Sequence, residues 1–170
     1  MNSGVWNTTE AWPLMIKSGQ RIGSMPRLEE KLSWLPVDLA SKAIIEIVTR
    51  PCAERSDCAV YHILNPNAGA TFETVVLGGL ERAGLCFKTV SRHEWLDELT
   101  GSEGDLSANP GKKLLPFYRG RIGKETEREF VEFETRETGR VAPTIRECKA
   151  VDESLVKLWV DQWKADGFLD

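Results

Sequence analysis

The two histidines are the side chains best suited to chemistry near neutral pH. His62 stands inside an almost fully apolar run, Cys58–Leu64, that ends in the turn-forming stretch Asn65-Pro66-Asn67-Ala68-Gly69. A run of that length bounded by turn residues reads as a strand covered on both faces, as in a parallel α/β sheet. Near the carboxyl end of such a strand, where α/β sheets bind ligands, an imidazole can act as acid or base. The competing reading is a packed histidine bonded to a backbone carbonyl. His93 and Glu94 fall in the first turn of a helix, where capping accounts for Glu94 and His93 is expected at the surface. The four cysteines, Cys52, Cys58, Cys86 and Cys148, lack the close pairing of a zinc site, and Cys86 has only Lys88 as a nearby cation. They read as small apolar packing groups, and no metal is expected.

Aromatic and thioether side chains gather at the start of the chain. Trp6, Trp12 and Met15, with Asn7 among them, could line an apolar acyl or aryl pocket or pack as core. Asn65, three residues after His62, would sit at the same strand end. The pair Lys112-Lys113 is too small for a nucleic-acid site. Other chemistries are excluded by what is missing. No Gly-x-Gly-x-x-Gly turn or phosphate loop follows a strand, so neither a dinucleotide nor a nucleoside triphosphate has a seat. The two tyrosines, Tyr61 and Tyr118, are followed four residues on by Asn65 and Ile122, so the Tyr-x-x-x-Lys pair of short-chain dehydrogenases is absent. No cofactor is expected. With 26 acidic against 22 basic side chains in 170 residues and a net charge of -4, there is no clustered basic surface for nucleic acid. No apolar run spans a membrane, and residues 1–20 lack a secretory pattern, so a reducing cytoplasmic setting is expected.

The elements that would position these residues follow from periodicity and punctuation. Asn7 and Glu10 have capping-box spacing, although Pro13 requires a kink or a helix start nearer Trp12. Gly19, Gly23 and Pro26 then break the chain. Asp38 reads as the N-cap of a helix running Leu39–Thr49 and stopped by Pro51. After the Cys58–Leu64 strand, Thr71 caps a helix that Gly84 ends, Leu85–Val90 is a second strand, and Ser91 and Glu94 form a capping box, with Val90 and Trp95 as its hydrophobic staple. Residues 101–111 and 121–140 are expected as surface or mobile segments, with Phe130, Val131 and Phe133 the apolar anchors of the second. Asp152 caps a last helix with Leu155, Val156, Trp159 and Trp163 on one stripe. Strand–helix–strand–helix order predicts one α/β domain over 1–170. It would hold a partial Rossmann-like sheet of few strands and a mostly helical C-terminal substrate-binding subdomain.

Several stretches resemble a known family. Val5-Trp6-Asn7 with Trp12-Pro13-Leu14, then Leu35-Pro36-Val37-Asp38-Leu39-Ala40, then Val60-Tyr61-His62-Ile63-Leu64-Asn65-Pro66 are similar, in order, to the C-terminal third of the thioester reductase domain. That domain, an extended short-chain dehydrogenase, closes fungal nonribosomal-peptide-synthetase-like enzymes and related carboxylic acid and alpha-aminoadipate reductases. Glu94-Trp95-Leu96, Asn109-Pro110 before Lys113-Leu114-Leu115, and Trp163 with Gly167-Phe168-Leu169 continue the resemblance. It implies that Trp6, Asn7, Trp12, Met15, His62 and Asn65 lie on the substrate side, facing an acyl group on a phosphopantetheine arm. The half that carries NADPH and the catalytic Tyr and Lys in that family has no counterpart here, so the resemblance implies a chain unable to reduce a thioester by itself. Three functions follow as expectations. One is a freestanding protein of secondary metabolism that binds an apolar acyl or polyketide-type intermediate and catalyses a cofactor-free cyclisation, isomerisation or dehydration, with His62 the candidate residue. The second is a substrate- or carrier-binding fragment of an NADPH-dependent reductase, and the third a carrier-docking scaffold. Monomer and homodimer are both compatible with the sequence.

Overall fold

The computed structural model describes residues 5–51, 60–67, 69–123 and 131–170. Their contacts gather into two compact units. The smaller is drawn from Lys31–Ala70 and Glu129–Val151, the larger from Asn2–Glu30, Thr71–Arg128 and Asp152–Asp170. The fold is mixed α/β and mostly helical, with a parallel two-stranded sheet, as expected of the class.

The larger unit begins with helix α1, Ala11–Ile22. Its start is later than Asn7, and the expected capping box is not made. Asn7 Oδ1 instead accepts the Thr9 amide at 3.1 Å and the Thr9 hydroxyl at 2.8 Å, an Asx turn. Pro13 falls within the first turn, where an amide has no intrahelical acceptor to lose, so no kink is required. Gly23 closes α1 at φ 75°, and β1, Ser24–Pro26, follows at once. β1 pairs in parallel with β2, Lys88–Val90, in the register Ser24↔Lys88, Met25↔Thr89 and Pro26↔Val90. Sequence punctuation reads residues 19–26 as a break. A three-residue strand is too short to show a period of two, and a proline at its end needs no ladder donor.

Thr71 caps as expected, in a reciprocal box with Thr74. The first turns, Phe72–Leu77, are wound as a π-helix before α3, Gly78–Arg82. Ser91 caps α4, Arg92–Gly101, by accepting the Glu94 amide at 3.2 Å. The segment 102–109 is an ordered turn, with Asp105 Oδ1 accepting the amides of Ser107 and Ala108 at 2.9 and 2.8 Å. A 3-10 turn, Pro110–Leu114, leads into α5, Leu115–Ile122, where Pro116 lies in the first turn and causes no disturbance. The last helix, α8, Glu153–Ala165, is capped by Asp152 and buries Val156, Trp159, Val160 and Trp163.

The smaller unit holds α2, Val37–Val48, with α6, Arg136–Val141, and α7, Pro143–Arg146. Asp38 does not cap α2. Pro36 occupies that position, and Asp38 faces the positive end of the helix dipole from the first turn. Residues 60–64 form no strand, while Cys58 and Ala59 lie outside the described residues, as do Cys52, Ala68 and Phe130. The ladder expected for this run has no partner among the described residues. Of the segment expected to be a surface stretch, residues 136–140 are helical, with Thr138 and Gly139 buried, whereas Val131 and Phe133, expected as apolar anchors, are 65% and 54% exposed.

α3 meets α8 at a glycine. A Cβ on Gly79 would stand 2.6 Å from Val156 Cβ and 3.2 Å from the Glu153 carbonyl oxygen. Gly79→Ala is therefore expected to destabilise the chain by about 1–3 kcal/mol through overpacking, despite the better helix propensity of alanine. A urea titration checks this, and an unchanged midpoint would remove the close approach from the account.

Candidate acyl-binding surface

In the larger unit two fully buried aromatic residues fix the start of α1. Trp95 donates its indole N–H to the Ser24 carbonyl at 3.2 Å and meets Tyr118 edge-on at 5.4 Å. Tyr118 donates its hydroxyl to the Ala11 carbonyl at 2.6 Å, and burial pushes its pKa well above the ordinary phenol value. Trp12 is thereby held at the first turn of α1. Its ring lies 5.2 Å from that of buried Phe72 and 5.7 Å from the Arg121 guanidinium, which is paired with Glu30. The Arg121 Nε–H is buried and has no acceptor among the described residues.

The other N-terminal candidates divide. Trp6 packs edge-on against Trp159 at 4.7 Å, gives its indole N–H to Glu10 at 2.8 Å, and offers its carbonyl to the Trp163 indole N–H at 3.3 Å. Asn7 is exposed, but its side-chain oxygen is engaged in the Asx turn. Met15 is 1% exposed and belongs to the core, so it presents no surface to a guest. The partly buried indole of Trp12, floored by Phe72, is the aromatic surface that suits an apolar chain best.

His62 and Asn65 lie in the smaller unit. The His62 ring is partly buried, 4.9 Å from Phe133, with Nδ1 3.0 Å from the Glu134 carbonyl oxygen. A carbonyl only accepts, so in the neutral ring Nδ1 carries the proton and Nε2 the lone pair. Asn65 is 2% exposed and its amide is saturated. Nδ2 donates to the carbonyls of Trp34 and Lys149 at 3.2 and 2.9 Å, while Oδ1 accepts from Asn67 N and Nδ2. Its role is to splice three chain segments together rather than to meet a ligand. Glu46 does similar work, accepting the amide and hydroxyl of Thr144 at the start of α7.

Sequence reasoning missed a charged cluster at the sheet. The Ser24 hydroxyl and the Lys88 ammonium both donate to Glu98, the latter at 2.5 Å, with Glu94 3.7 Å from Lys88. Beside it an open depression of about 500 Å³ is lined by Arg21, Ile22, Glu98, Gly101, Ser102 and Glu103. Its charged wall does not suit an acyl chain. Lys88 first, then Ser24, holds the Glu98 carboxyl below its ordinary range. Cys86 is exposed and Cys148 partly buried, and burial pushes the Cys148 thiol up. Among the described residues no three His, Cys, Asp or Glu side chains gather as a metal set, and no helix is long and apolar enough to cross a membrane.

Against solved structures the chain matches the terminal R domain from the myxalamid PKS-NRPS biosynthetic pathway, with a TM-score of 0.79 at 24% identity, over 99% of this chain and 41% of that one. The fold is that of part of a terminal R domain. In sequence the chain is 32% identical, over 98% of its length, to a non-canonical non-ribosomal peptide synthetase of Acremonium egyptiacum. It is also 27% identical over 99% of its length to the citrinin polyketide synthase of Monascus ruber, and 28% identical over 98% to an adenylate-forming reductase of Heterobasidion annosum. It spans 15%, 6% and 16% of those three proteins, respectively. No protein-family model matches it. The chain is thus a thioester-reductase-like relative of fungal secondary-metabolite synthases, and the resemblance drawn from its sequence motifs holds from end to end.

The Glu98 cluster has a definite pH signature. Because the folded carboxyl titrates below its ordinary value of 4.5, its stabilisation is complete above that value and is lost as the pH falls through the lowered one. Urea midpoints of the parent and Glu98→Gln are expected to differ by a constant amount from about pH 7 to about pH 5 and to converge below. A gap that does not vary with pH would show that the charge contributes nothing.

Proposed function

We propose that this chain is the acyl-binding part of a reductase-type module in fungal secondary metabolism. Its guest is a polyketide- or peptide-type acyl group presented as the thioester of a phosphopantetheine arm. The observation that carries this reading is the end-to-end match to polyketide and non-ribosomal peptide synthases on an R-domain fold. Trp12 on Phe72 supplies the apolar contact, since an indole face takes up a saturated or aromatic chain without asking for a hydrogen bond. Hydride transfer is outside the reading, because the sequence carries neither a glycine-rich dinucleotide turn nor a Tyr-x-x-x-Lys pair.

The test is calorimetric titration with a medium-chain acyl-pantetheine thioester, with free pantetheine as the control. Trp12→Ala is expected to weaken acyl binding about tenfold, or about 1.4 kcal/mol, and Trp12→Phe to retain most of it. Equal affinity for the acylated and free arm would overturn the reading. Equal affinity of Trp12→Ala and parent would place the contact elsewhere.

A second reading rests on the His62–Glu134 hydrogen bond, which leaves Nε2 as the basic atom of the neutral ring. Such a base can take a carbon-bound proton beside a carbonyl and return it at another carbon, or release a neighbouring hydroxyl as water, with no redox partner. Under this reading His62→Gln lowers turnover of a β-hydroxyacyl thioester about 100-fold or more. A parent chain with no turnover leaves binding as the function, and an unaffected His62→Gln variant excludes the histidine.

A further inference from the structure

The ion pair beside Trp12 is built differently from a structural clamp. Arg121, in the last turn of α5, has its guanidinium 5.7 Å from the Trp12 ring and donates from Nη2 to Glu30 Oε1. A pair that serves packing gains most from the two-pronged contact in which Nε and Nη2 grip both carboxylate oxygens. Here the contact is single. The Nε–H is buried with no acceptor among the described residues, and Nη1 makes no bond among them. The Arg121 side chain is 36% exposed and that of Glu30 22%, and a pair so open to water adds little to stability. Glu30 also fixes the floor of the site, since its backbone carbonyl accepts the Phe72 amide at 2.9 Å. One residue thus ties the ring under the indole and the cation beside it.

We infer that Arg121 is a specificity-determining residue of the acyl surface, whose Nη1 donates to an uncharged oxygen, keto or hydroxyl, on a chain laid against Trp12. Glu30 is its positioning residue. Three features set the chemistry of the guest. A guanidinium only donates, so its partner is an acceptor. Glu30 already balances the cation, so a carboxylate or phosphate on the guest would meet a like charge close by. An uncharged oxygen takes the charge-assisted hydrogen bond without that repulsion. The short span from guanidinium to indole places the oxygen on the acyl chain itself, a few carbons from the part that touches the ring, whereas the phosphate of the arm lies at its far end. The inference rests on the reading of Trp12 as the acyl contact. It adds one polar demand at the rim of a surface that is otherwise non-directional.

The experiment is calorimetric titration of the full chain with octanoyl-, 3-oxooctanoyl- and 5-oxooctanoyl-pantetheine. The parent is expected to bind the better of the two oxo thioesters about tenfold more tightly than the octanoyl one. Arg121→Met keeps an apolar stem but has no donor, and it is expected to bind all three alike, with octanoyl affinity within about threefold of the parent's. Because that change leaves the Glu30 carboxylate without its cation, the double variant Glu30→Gln/Arg121→Met is measured beside it, and circular dichroism checks both folds. Glu30→Gln alone keeps an acceptor for Nη2 and removes the opposing charge. It is expected to retain the oxo preference and to bind a glutaryl thioester, which ends in a carboxylate, about tenfold better than the parent does. An oxo preference that survives in both methionine variants overturns the proposal, as does a parent that binds octanoyl and oxo thioesters alike. Equal glutaryl binding by the parent and Glu30→Gln overturns the choice of an uncharged oxygen. Tighter parent binding of phosphopantetheine than of pantetheine, lost in Arg121→Met, assigns the cation to the arm and overturns it too. Octanoyl binding above that of pantetheine without an oxo preference sinks this inference and spares the acyl site. No gain over pantetheine from any thioester sinks both.

Discussion

The larger unit depends on a pair of buried aromatic rings whose polar atoms both end on backbone carbonyls. Trp95 reaches Ser24 in β1, Tyr118 reaches Ala11 at the head of α1, and the two rings meet edge to face. An indole or phenol enters a core cheaply only when its single donor is satisfied there. Each ring therefore fixes where its carbonyl must be, and with it the position of the strand and of the first turn of α1. Trp12, one residue beyond Ala11, takes its place above Phe72 from that arrangement. The aromatic surface is positioned by a hydrogen bond its own side chain does not make.

What the sequence made legible was local. The caps at Thr71, Ser91 and Asp152 and the turn glycines Gly84 and Gly167 form as their spacing predicts, because capping is an interaction among residues three or four apart. What it hid was long-range. β1 is a strand only because β2 lies beside it, some sixty residues later. Asn65 looks like a turn residue until Trp34 and Lys149 appear as its acceptors. Asn7 looks like a cap because its partner is three residues away by count, yet the shorter reach to Thr9 wins. The candidate site was half legible for the same reason. Trp12 and His62 keep some surface, whereas the environments of Met15 and Asn65 are set by segments far along the chain.

The relatives give these features a common setting. Under the acyl-binding reading proposed above, the relatives include both polyketide and non-ribosomal peptide synthases, so guests of varied shape are in question. A flat aromatic contact with few polar demands tolerates that variety, because dispersion and area burial are non-directional. A hydrogen-bonding pocket would discriminate more sharply among guests, since each mismatched group leaves a buried partner unsatisfied.

Asn65 also bears on how the protein ages. Asparagine deamidates when the next residue's backbone nitrogen attacks the side-chain carbonyl, and here the next residue is Pro66, which has no amide hydrogen to lose. The amide that splices residues 34, 65 and 149 is thus guarded twice, once by its four hydrogen bonds and once by its neighbour's ring. A joint that needs a neutral amide is slow to hydrolyse into a charged one over time.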